Sequence, residues 1–412
     1  MIASLPSLPE DYWTDRGAYL ALLHDVHGPV VKARLGQSTI LFLLGPEANR
    51  FILQTERRSF SHNLGWSWAF GRTSGPRNLL TMDGEEHRRH REILHPAFAA
   101  RRIERYVPRI ARVIDRRLVT WTSRRTVDVY EEARVIALDL VAEVLIGLLP
   151  GHESALCRAV YLHGAQHRAS DLRDLLQRKI VERRSAPTGD ALCLAAQARD
   201  DAGQAWGMDQ ILAHADTLLI AGHETTASLA AWTLYLLAQH PEAADRVRSE
   251  VEGLRPDNIL MAALHHGSFI ARVLSEAERL YPPVSTAPRG LTHDVYFQDA
   301  ELPAGSMIVY SAAATHLLPS VWTDPGTFDP ERFVLPREEH KRSPYALVGF
   351  GGGARTCIGR ALARVELTML VARALDHFHL ELAPDQRIAQ RYGITSRPVH
   401  GIRMHVRRRA TG

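Results

Sequence analysis

The sequence predicts a mainly α chain with small β portions, folded as a single large domain over 1–412. Three observations carry that expectation. From about Glu85 onward, apolar residues recur at three and four spacings, with Pro or Gly at the joints. Near the N-terminus the strand-like runs are Val30 to Leu35 and Thr39 to Leu44, with Gly36-Gln37 between them as the turn. No composition shift, linker or internal repeat divides the 412 residues.

Taken in order, a helix from Asp11 to His24 leads through Gly28-Pro29 into a β-rich hairpin region at about 28–60. The longest apolar stripe uses Met208, Ile211, Leu212, Ala215, Leu218, Leu219, Gly222, Thr225, Leu229, Thr233 and Leu236. It predicts a helix from about 208 to 239, ended by His240-Pro241 and long enough, at about 45 Å, to cross the domain. Its centre, Ala221-Gly222-His223-Glu224-Thr225-Thr226, combines a glycine, an acid and two hydroxyls that weaken or bend a helix. Weak points in a buried central helix point to a site. A further helix pattern follows Cys357 through Ala361, Leu362, Val365, Leu370, Val371 and Leu375.

Composition narrows the function. Apolar residues make up 45% and charged residues 23%, which excludes a disordered or fibrous chain. The 50 Lys and Arg against 46 Asp and Glu, a net +4, make no nucleic-acid footprint. The longest apolar stretches, such as Thr39 to Leu44 and Thr217 to Gly222, fall short of the roughly 18 to 20 residues of a membrane span. The opening MIASLPSLPEDYW lacks the marks of a signal peptide, so a cytoplasmic, membrane-free protein is expected; a monomer is expected as well, though nothing in the N-terminus bears on that. Three cysteines, Cys157, Cys193 and Cys357, make no disulfide framework.

One of them stands in Phe350-Gly351-Gly352-Gly353-Ala354-Arg355-Thr356-Cys357-Ile358-Gly359, just before a helix start. Unpaired N–H groups and the positive end of the helix dipole are expected there to lower the thiol pKa, making the sulfur an anionic ligand or a nucleophile. Flanking glycines let a flat ligand or another backbone come close. A buried small cysteine behind a glycine-rich turn is the plainer alternative.

The stretch resembles the cytochrome P450 pattern Phe-x-x-Gly-x-Arg-x-Cys-x-Gly at Phe350, Gly353, Arg355, Cys357 and Gly359. Glu276-Ala277-Glu278-Arg279 is similar to that family's Glu-x-x-Arg, and 221–226 to its Ala-Gly-x-(Asp/Glu)-Thr-Thr. Phe328-Asp329-Pro330-Glu331-Arg332-Phe333 is similar to its Pro-Glu-Arg-Phe meander, and the order of the motifs agrees. The chain therefore resembles a bacterial soluble cytochrome P450 of secondary metabolism.

The resemblance implies the P450 fold, with haem b between the long central helix and the Cys loop, and Cys357 as the thiolate ligand of its iron. It implies that Arg355, Arg289, His87 and Arg91 bind the haem propionates, although cations in a solvated basic face would look the same in sequence. Phe350 would shield the sulfur, Gly359 would be among the residues that bind the cofactor, and Gly222 would open a groove for oxygen. Thr225 would hydrogen-bond the bound oxygen and Glu224 gate a proton path. His223, beside that stripe, is expected to be structural. Glu276, Arg279 and Arg332 would form a buried triad that supports folding and haem incorporation.

For the substrate pocket the resemblance implies a loop from Asn63 to Leu80 carrying Trp66, Trp68 and Phe70, then Leu218 and Ala221 of the long helix, and Val284, Thr286 and Ala287. The three aromatics either gate an apolar ligand or pack the loop. Activity would be monooxygenation of a small to medium, largely apolar molecule, with O2 as co-substrate. Electrons would come from a separate ferredoxin or flavodoxin with its NAD(P)H-dependent reductase, since the chain shows no dinucleotide fingerprint and too few cysteines for a cluster. Arg88-Arg89, Arg101-Arg102 and Lys341-Arg342 are candidate docking cations, or merely solvated. The lid region from Gly151 to Arg184 is shorter than usual for the family, and Leu317-Leu318-Pro319 replaces its Arg-Asp-Pro. The alternatives are a haem-binding sensor, a P450 of isomerase or peroxygenase type, a thiol-nucleophile enzyme built on Cys357, and a metal site at His87, His90 and His95.

Overall fold

The structure is a computed structural model that describes residues 3–5, 7–36, 38–70, 77–252, 262–263 and 267–409. Gln37 of the expected turn and residues 71–76 of the expected aromatic loop lie outside the described residues. The longer helices that position the site are α1 (Arg16–His27), α2 (His62–Phe70), α3 (Gly84–Leu94), α4 (Ala100–Leu118), α5 (Val129–Leu140), α6 (His152–Tyr161), α7 (Ala169–Ser185), α8 (Met208–Gln239), α9 (Phe269–Leu280) and α10 (Arg360–His377). The strands that matter are β1 (Val30–Leu35), β2 (Ser38–Leu43), β3 (Thr286–Leu291), β4 (Met307–Ser311), β5 (Gln390–Arg391) and β6 (Arg397–Pro398).

A six-stranded sheet runs in the order Ala3–Leu5, β1, β2, β4, β3, Phe60–Ser61. The expected hairpin is β1 with β2, antiparallel, Val30 facing Leu43 and Leu35 facing Ser38. Both strands place alternate side chains against α1 and against the aromatic cluster around Phe60. β5 and β6 form a small separate hairpin. It reaches the centre of the molecule: Ser396 N–H donates to Pro283 O at 2.7 Å, and Ser228 Oγ of α8 donates to Ser396 O at 2.6 Å.

The long helix is α8, with the bounds the apolar stripe predicts. It is buried along both flanks, and Trp232 stacks on Tyr281 with ring centroids 4.0 Å apart. The weak points at its centre do not interrupt it: α8 runs unbroken through 221–226. Thr225 and Thr233 satisfy their hydroxyls by donating to the carbonyls four residues back, each at 2.7 Å, without opening the ladder.

The stretch expected as an aromatic loop is helical over His62–Phe70. On a helix, residues two apart face different ways. Trp66 and Phe70, four apart, are both 8% exposed and pack at 5.6 Å, whereas Trp68 is 63% exposed with its indole N–H on Gly65 O. Trp68 is therefore not part of a pocket wall with the other two. The opening helix is also split, into Glu10–Thr14 and α1, because Asp15 leaves helical geometry to cap α1 through Ala18 N–H. The stretch expected as a short lid forms two helices, α6 and α7.

Candidate active site

The Cys loop is held from several sides. Cys357 N–H donates to Phe350 O at 2.8 Å, and α10 begins three residues after the sulfur. Gly351 and Gly353 have φ of 69° and 58°, and a Cβ at 353 would stand 2.2 Å from Leu53 O, so only glycine fits. Glu278, inside the Glu-x-x-Arg motif, accepts the backbone N–H groups of Gly349 and Phe350 and pairs with Arg364. His316 Nε2 accepts Val348 N–H at 3.0 Å. No motif marks Glu278 or His316 as an anchor of this loop. Leu318, where the family has a charged residue, is instead fully buried beside Trp322, Val321 and Phe333.

Cys357 Sγ is exposed, yet it lies deep in the molecule, so it borders a cleft rather than bulk solvent. The expectation of a lowered pKa does not hold for the protein alone. Burial raises the thiol pKa, and the opposing pull of Gly359 N–H, Arg91 and Arg360 does not outweigh it. A thiol nucleophile needs its pKa pushed down, so that reading loses its basis. A bound cation would restore the thiolate. Phe350 packs beneath the arginines that follow the cysteine, with Arg364 5.4 Å and Arg360 5.9 Å from its ring. Gly359 stands against both Phe98 and the sulfur, at 3.8 and 3.9 Å from a hypothetical Cβ.

Near the Cys loop the structure gathers arginines and histidines. Arg355 donates to Met82 O at 2.8 Å and Asp83 Oδ1 at 3.1 Å, while its Nη1 is buried without a partner. Arg289, 4% exposed, has no carboxylate partner among the described residues and lies 5.2 Å from the Tyr310 ring. His87 is buried on α3, and burial with the neighbouring Arg355 and Arg91 brings its pKa down to about 3. His62, which sequence reasoning missed, is buried with its ring against the Leu80 backbone and no side-chain partner. Burial, Arg289, Arg355 and His87 hold its pKa well below the ordinary value. Arg355 itself is lowered to about 10 by burial, with Arg289 and Arg91 adding to the effect against Asp83.

The one carboxylate there, Asp83, already accepts His62 N–H at 2.7 Å and Asn63 N–H at 3.2 Å. The imidazoles of His87 and His62 stay neutral in this field, but Arg289 and Arg355 share little counter-charge, which is costly for buried guanidinium groups unless anions enter. Two carboxylates on the rim of a flat ligand lying over Cys357 meet that need. The residues present thus fit haem: Cys357 to the iron, and Arg355, Arg289, His87 and His62 to the propionates. Arg91 is within electrostatic reach of both Cys357 and Arg355.

On α8, Glu224 accepts from Arg134 Nε and from Tyr130 Oη, each at 2.8 Å, with His223 Nε2 at 3.3 Å. Burial alone would raise its pKa; His223, Arg134 and Tyr130 together outweigh burial and bring it down to about 2. His223 donates Nδ1–H to Leu219 O at 2.6 Å, so it belongs to this network rather than to packing only. Arg134 and Tyr130, from α5, are site residues no motif announced. Gly222 is explained differently from the expectation: a Cβ there would meet Val141 Cγ2 at 2.6 Å, so the glycine lets α8 approach the turn after α5.

Of the expected pocket residues, Trp66, Phe70, Val284 and Ala287 come together in one apolar cluster, joined by Ile220 and Leu80. Leu218 packs into the main core instead. Ala221 supplies the carbonyl that Thr225 binds, and Thr286 touches Arg16. The triad forms in full. Glu276 accepts from Arg279 Nε at 2.8 Å and Nη2 at 2.7 Å and from Arg332 Nε at 2.9 Å, all three side chains being essentially unexposed. Glu339, also buried, extends it by accepting from Arg332 at 2.8 Å.

Among the described residues no group of three His, Cys, Asp or Glu is arranged for a metal ion, and His90 bonds His214 at 2.8 Å instead. Nor is any described helix long and apolar enough to cross a membrane.

The family model for Cytochrome P450 matches residues 3–154 and 158–399. The chain belongs to the cytochrome P450 family. A putative cytochrome P450 136 of Mycobacterium tuberculosis is 32% identical over 437 residues, covering 99% of this chain and 88% of that protein. A cyclooctat-9-en-7-ol 5-monooxygenase of Streptomyces melanosporofaciens is 30% identical over 406 residues, covering 90% and 86%. The solved structure of retinoic acid-bound cyanobacterial CYP120A1 superposes with a TM-score of 0.84 at 28% identity, covering 99% of each chain. The P450 fold expected from the motifs is the fold of this chain.

Proposed function

We propose that this P450 is a haem-thiolate monooxygenase acting on a small to medium, largely apolar molecule, by hydroxylation or epoxidation. The balance is RH + O2 + two electrons + two protons giving ROH + H2O. The observation that carries the proposal is the pairing of Cys357, before α10, with Arg355, the buried Arg289 and the buried imidazoles of His87 and His62, a group for which Asp83 is the one carboxylate partner among the described residues. When bound, thiolate-ligated haem supplies the oxygen chemistry.

The chain supplies the rest. Arg355, Arg289, His87, His62 and Arg91 orient the ligand's carboxylates, and Phe350 covers the sulfur. Thr225 donates its proton to Ala221 O, which leaves its lone pairs to accept a hydrogen bond from a water or substrate at the cleft. Glu224 remains a carboxylate at neutral pH, so it passes protons by brief occupancy rather than storing one. The wall of Trp66, Phe70, Val284, Ala287 and Ile220 excludes water and favours apolar substrates. Retinoic acid and cyclooctat-9-en-7-ol, bound or oxidised by the relatives, are such molecules, which supports the class and a place in secondary metabolism.

A separate ferredoxin or flavodoxin with its NAD(P)H-dependent reductase would deliver electrons. Most of the cations the sequence offers for its docking are already engaged. Arg88 is paired with Glu85 and Glu92, Arg89 with Asp201, Lys341 with Glu338 and Arg342 with Glu339. Arg101, Arg102 and Arg105 surround a shallow cavity of about 330 Å³ without a carboxylate partner among the described residues, just beyond the Phe98 that touches Gly359. The test is Thr225→Ala: product formed per NAD(P)H consumed should fall while haem content stays unchanged, and unchanged coupling would refute the role.

A further inference from the structure

Seven arginines are buried among the described residues: Arg16, Arg183, Arg272, Arg279, Arg289, Arg332 and Arg364. Five of them pair with carboxylates, namely Arg183 with Asp190, Arg272 with Glu331, Arg279 and Arg332 with Glu276, and Arg364 with Glu278. That is what a buried guanidinium requires. Arg289 and Arg16 have no carboxylate partner among the described residues. Arg289 belongs to the cation set that fits the haem propionates. The same signature therefore marks one more place, Arg16, where an anion is missing from the protein's own inventory.

Arg16 opens α1 and is 5% exposed. Its guanidinium carbon lies 4.7 Å from the Tyr12 ring, 5.7 Å from Trp13 and 5.1 Å from Tyr392. Its acceptors are two hydroxyls at long range, Thr286 Oγ1 at 3.3 Å and Ser285 Oγ at 3.5 Å, and its Nε is buried with no partner. Five N–H donors are thus left largely unspent. The nearby phenols do not supply charge, because burial raises the pKa of both Tyr12 and Tyr392. Asp15, next in sequence, is committed to Ala18 N–H and lies beside Tyr392 rather than the guanidinium.

Its position gives the cation a use. Thr286 and Ser285 lie in the segment Val284, Ser285, Thr286, Ala287, whose apolar members join Trp66, Phe70 and Ile220 in one apolar cluster. Tyr392 sits in the connection of the β5–β6 hairpin, which is tied to Pro283 and, through Ser396, to α8 one turn beyond Thr225. One edge of the apolar wall is thereby closed by a buried cation ringed by aromatic faces. A planar guanidinium in that setting suits a carboxylate, which it binds in bidentate fashion, better than a neutral polar group.

We propose that Arg16 receives the carboxylate of a long apolar acid whose hydrocarbon body lies along the Val284–Ala287 wall. This names the substrate class of the monooxygenase reading and rests on it. The test uses the haem-loaded protein and three acids, hexadecanoate, all-trans-retinoate and abietate, each beside its methyl ester. Dissociation constants are read from the Soret spin-state shift and, independently, by calorimetry. At least one acid should bind ten times or more tightly than its ester. Arg16→Met should bring that acid to the affinity of its ester and leave the ester unchanged, and Arg16→Lys should keep part of the preference. The proposal is overturned if no acid outbinds its ester in the native protein, or if Arg16→Met and Arg16→Lys preserve the full preference. Should Arg16→Met fail to fold, the native comparison and Arg16→Lys still decide. A protein that shows the thiolate-type band with CO but no acid preference sinks this inference alone; a protein without that band sinks the monooxygenase reading.

Discussion

Replacing Glu276 by Gln keeps the shape of the triad and removes its charge. In the native protein this unexposed carboxylate serves Arg279 through two bonds of 2.7 and 2.8 Å, Arg332 through one of 2.9 Å and Asp329 N–H at 2.9 Å. After Glu276→Gln, Arg332 retains Glu339, but Arg279 is left with the carbonyls of His316, Pro325 and Thr327. A buried charge stripped of its partner costs about 3–5 kcal/mol. Set against a total stability of about 5–15 kcal/mol, that is a large share. The control is Arg337→Gln: Arg337 pairs with Asp329 and Glu339 from a one-third exposed position, and its loss should cost about 0–1 kcal/mol. Urea midpoints by circular dichroism, with soluble yield and haem per chain, compare the two. The double variant Glu276→Gln with Arg279→Gln should recover part of the loss, because the stranded cation is gone. Equal midpoints for Glu276→Gln and Arg337→Gln would refute the reasoning.

Gly222→Ala should destabilise by about 1–3 kcal/mol through its collision with Val141, and Val141→Ala in the same chain should relieve most of that; calorimetric melting checks both. Acid should also weaken the fold well before its carboxylates titrate. His316 donates Nδ1–H to Arg279 O and accepts Val348 N–H on Nε2, and burial holds its pKa, like that of His214, down to about 3. The unfolded chain takes up those protons below about 6.5, so the contribution is full above that pH. It is lost as pH falls toward 3, at roughly 1.4 kcal/mol per unit for each group. His214→Phe should make the slope of urea stability between pH 6 and 4 shallower by about that amount, and an unchanged slope would count against a neutral buried His214.

Features set by regular spacing are legible in the amino-acid sequence itself. The stripe from Met208 to Leu236 yields the bounds of α8, because a long apolar face has one geometry that buries it. The Cys loop and the Glu276 triad are also readable, since their partners recur in motifs. What escapes is set by tertiary contact. The aromatic run at 66–70 alternates like a strand, yet tertiary packing makes it helical and turns Trp68 to solvent. Arg134, Tyr130 and His62 sit far in sequence from the groups they serve, and no local pattern marks them. The thiol pKa fails as a local argument because burial, which no window of sequence reports, outweighs the helix terminus. The paired state of Arg88 and Arg89 is partly visible in Glu85 and Glu92, but Asp201 comes from another part of the chain.

The central claim is that the sulfur of Cys357 ligates haem iron. The absorption spectrum of the reduced, CO-treated protein tests it most directly, beside that of Cys357→His. The native protein should show the red-shifted thiolate-type Soret band and the variant the imidazole-type band. A native protein with no haem, or with an imidazole-type band that the substitution leaves in place, would contradict the account.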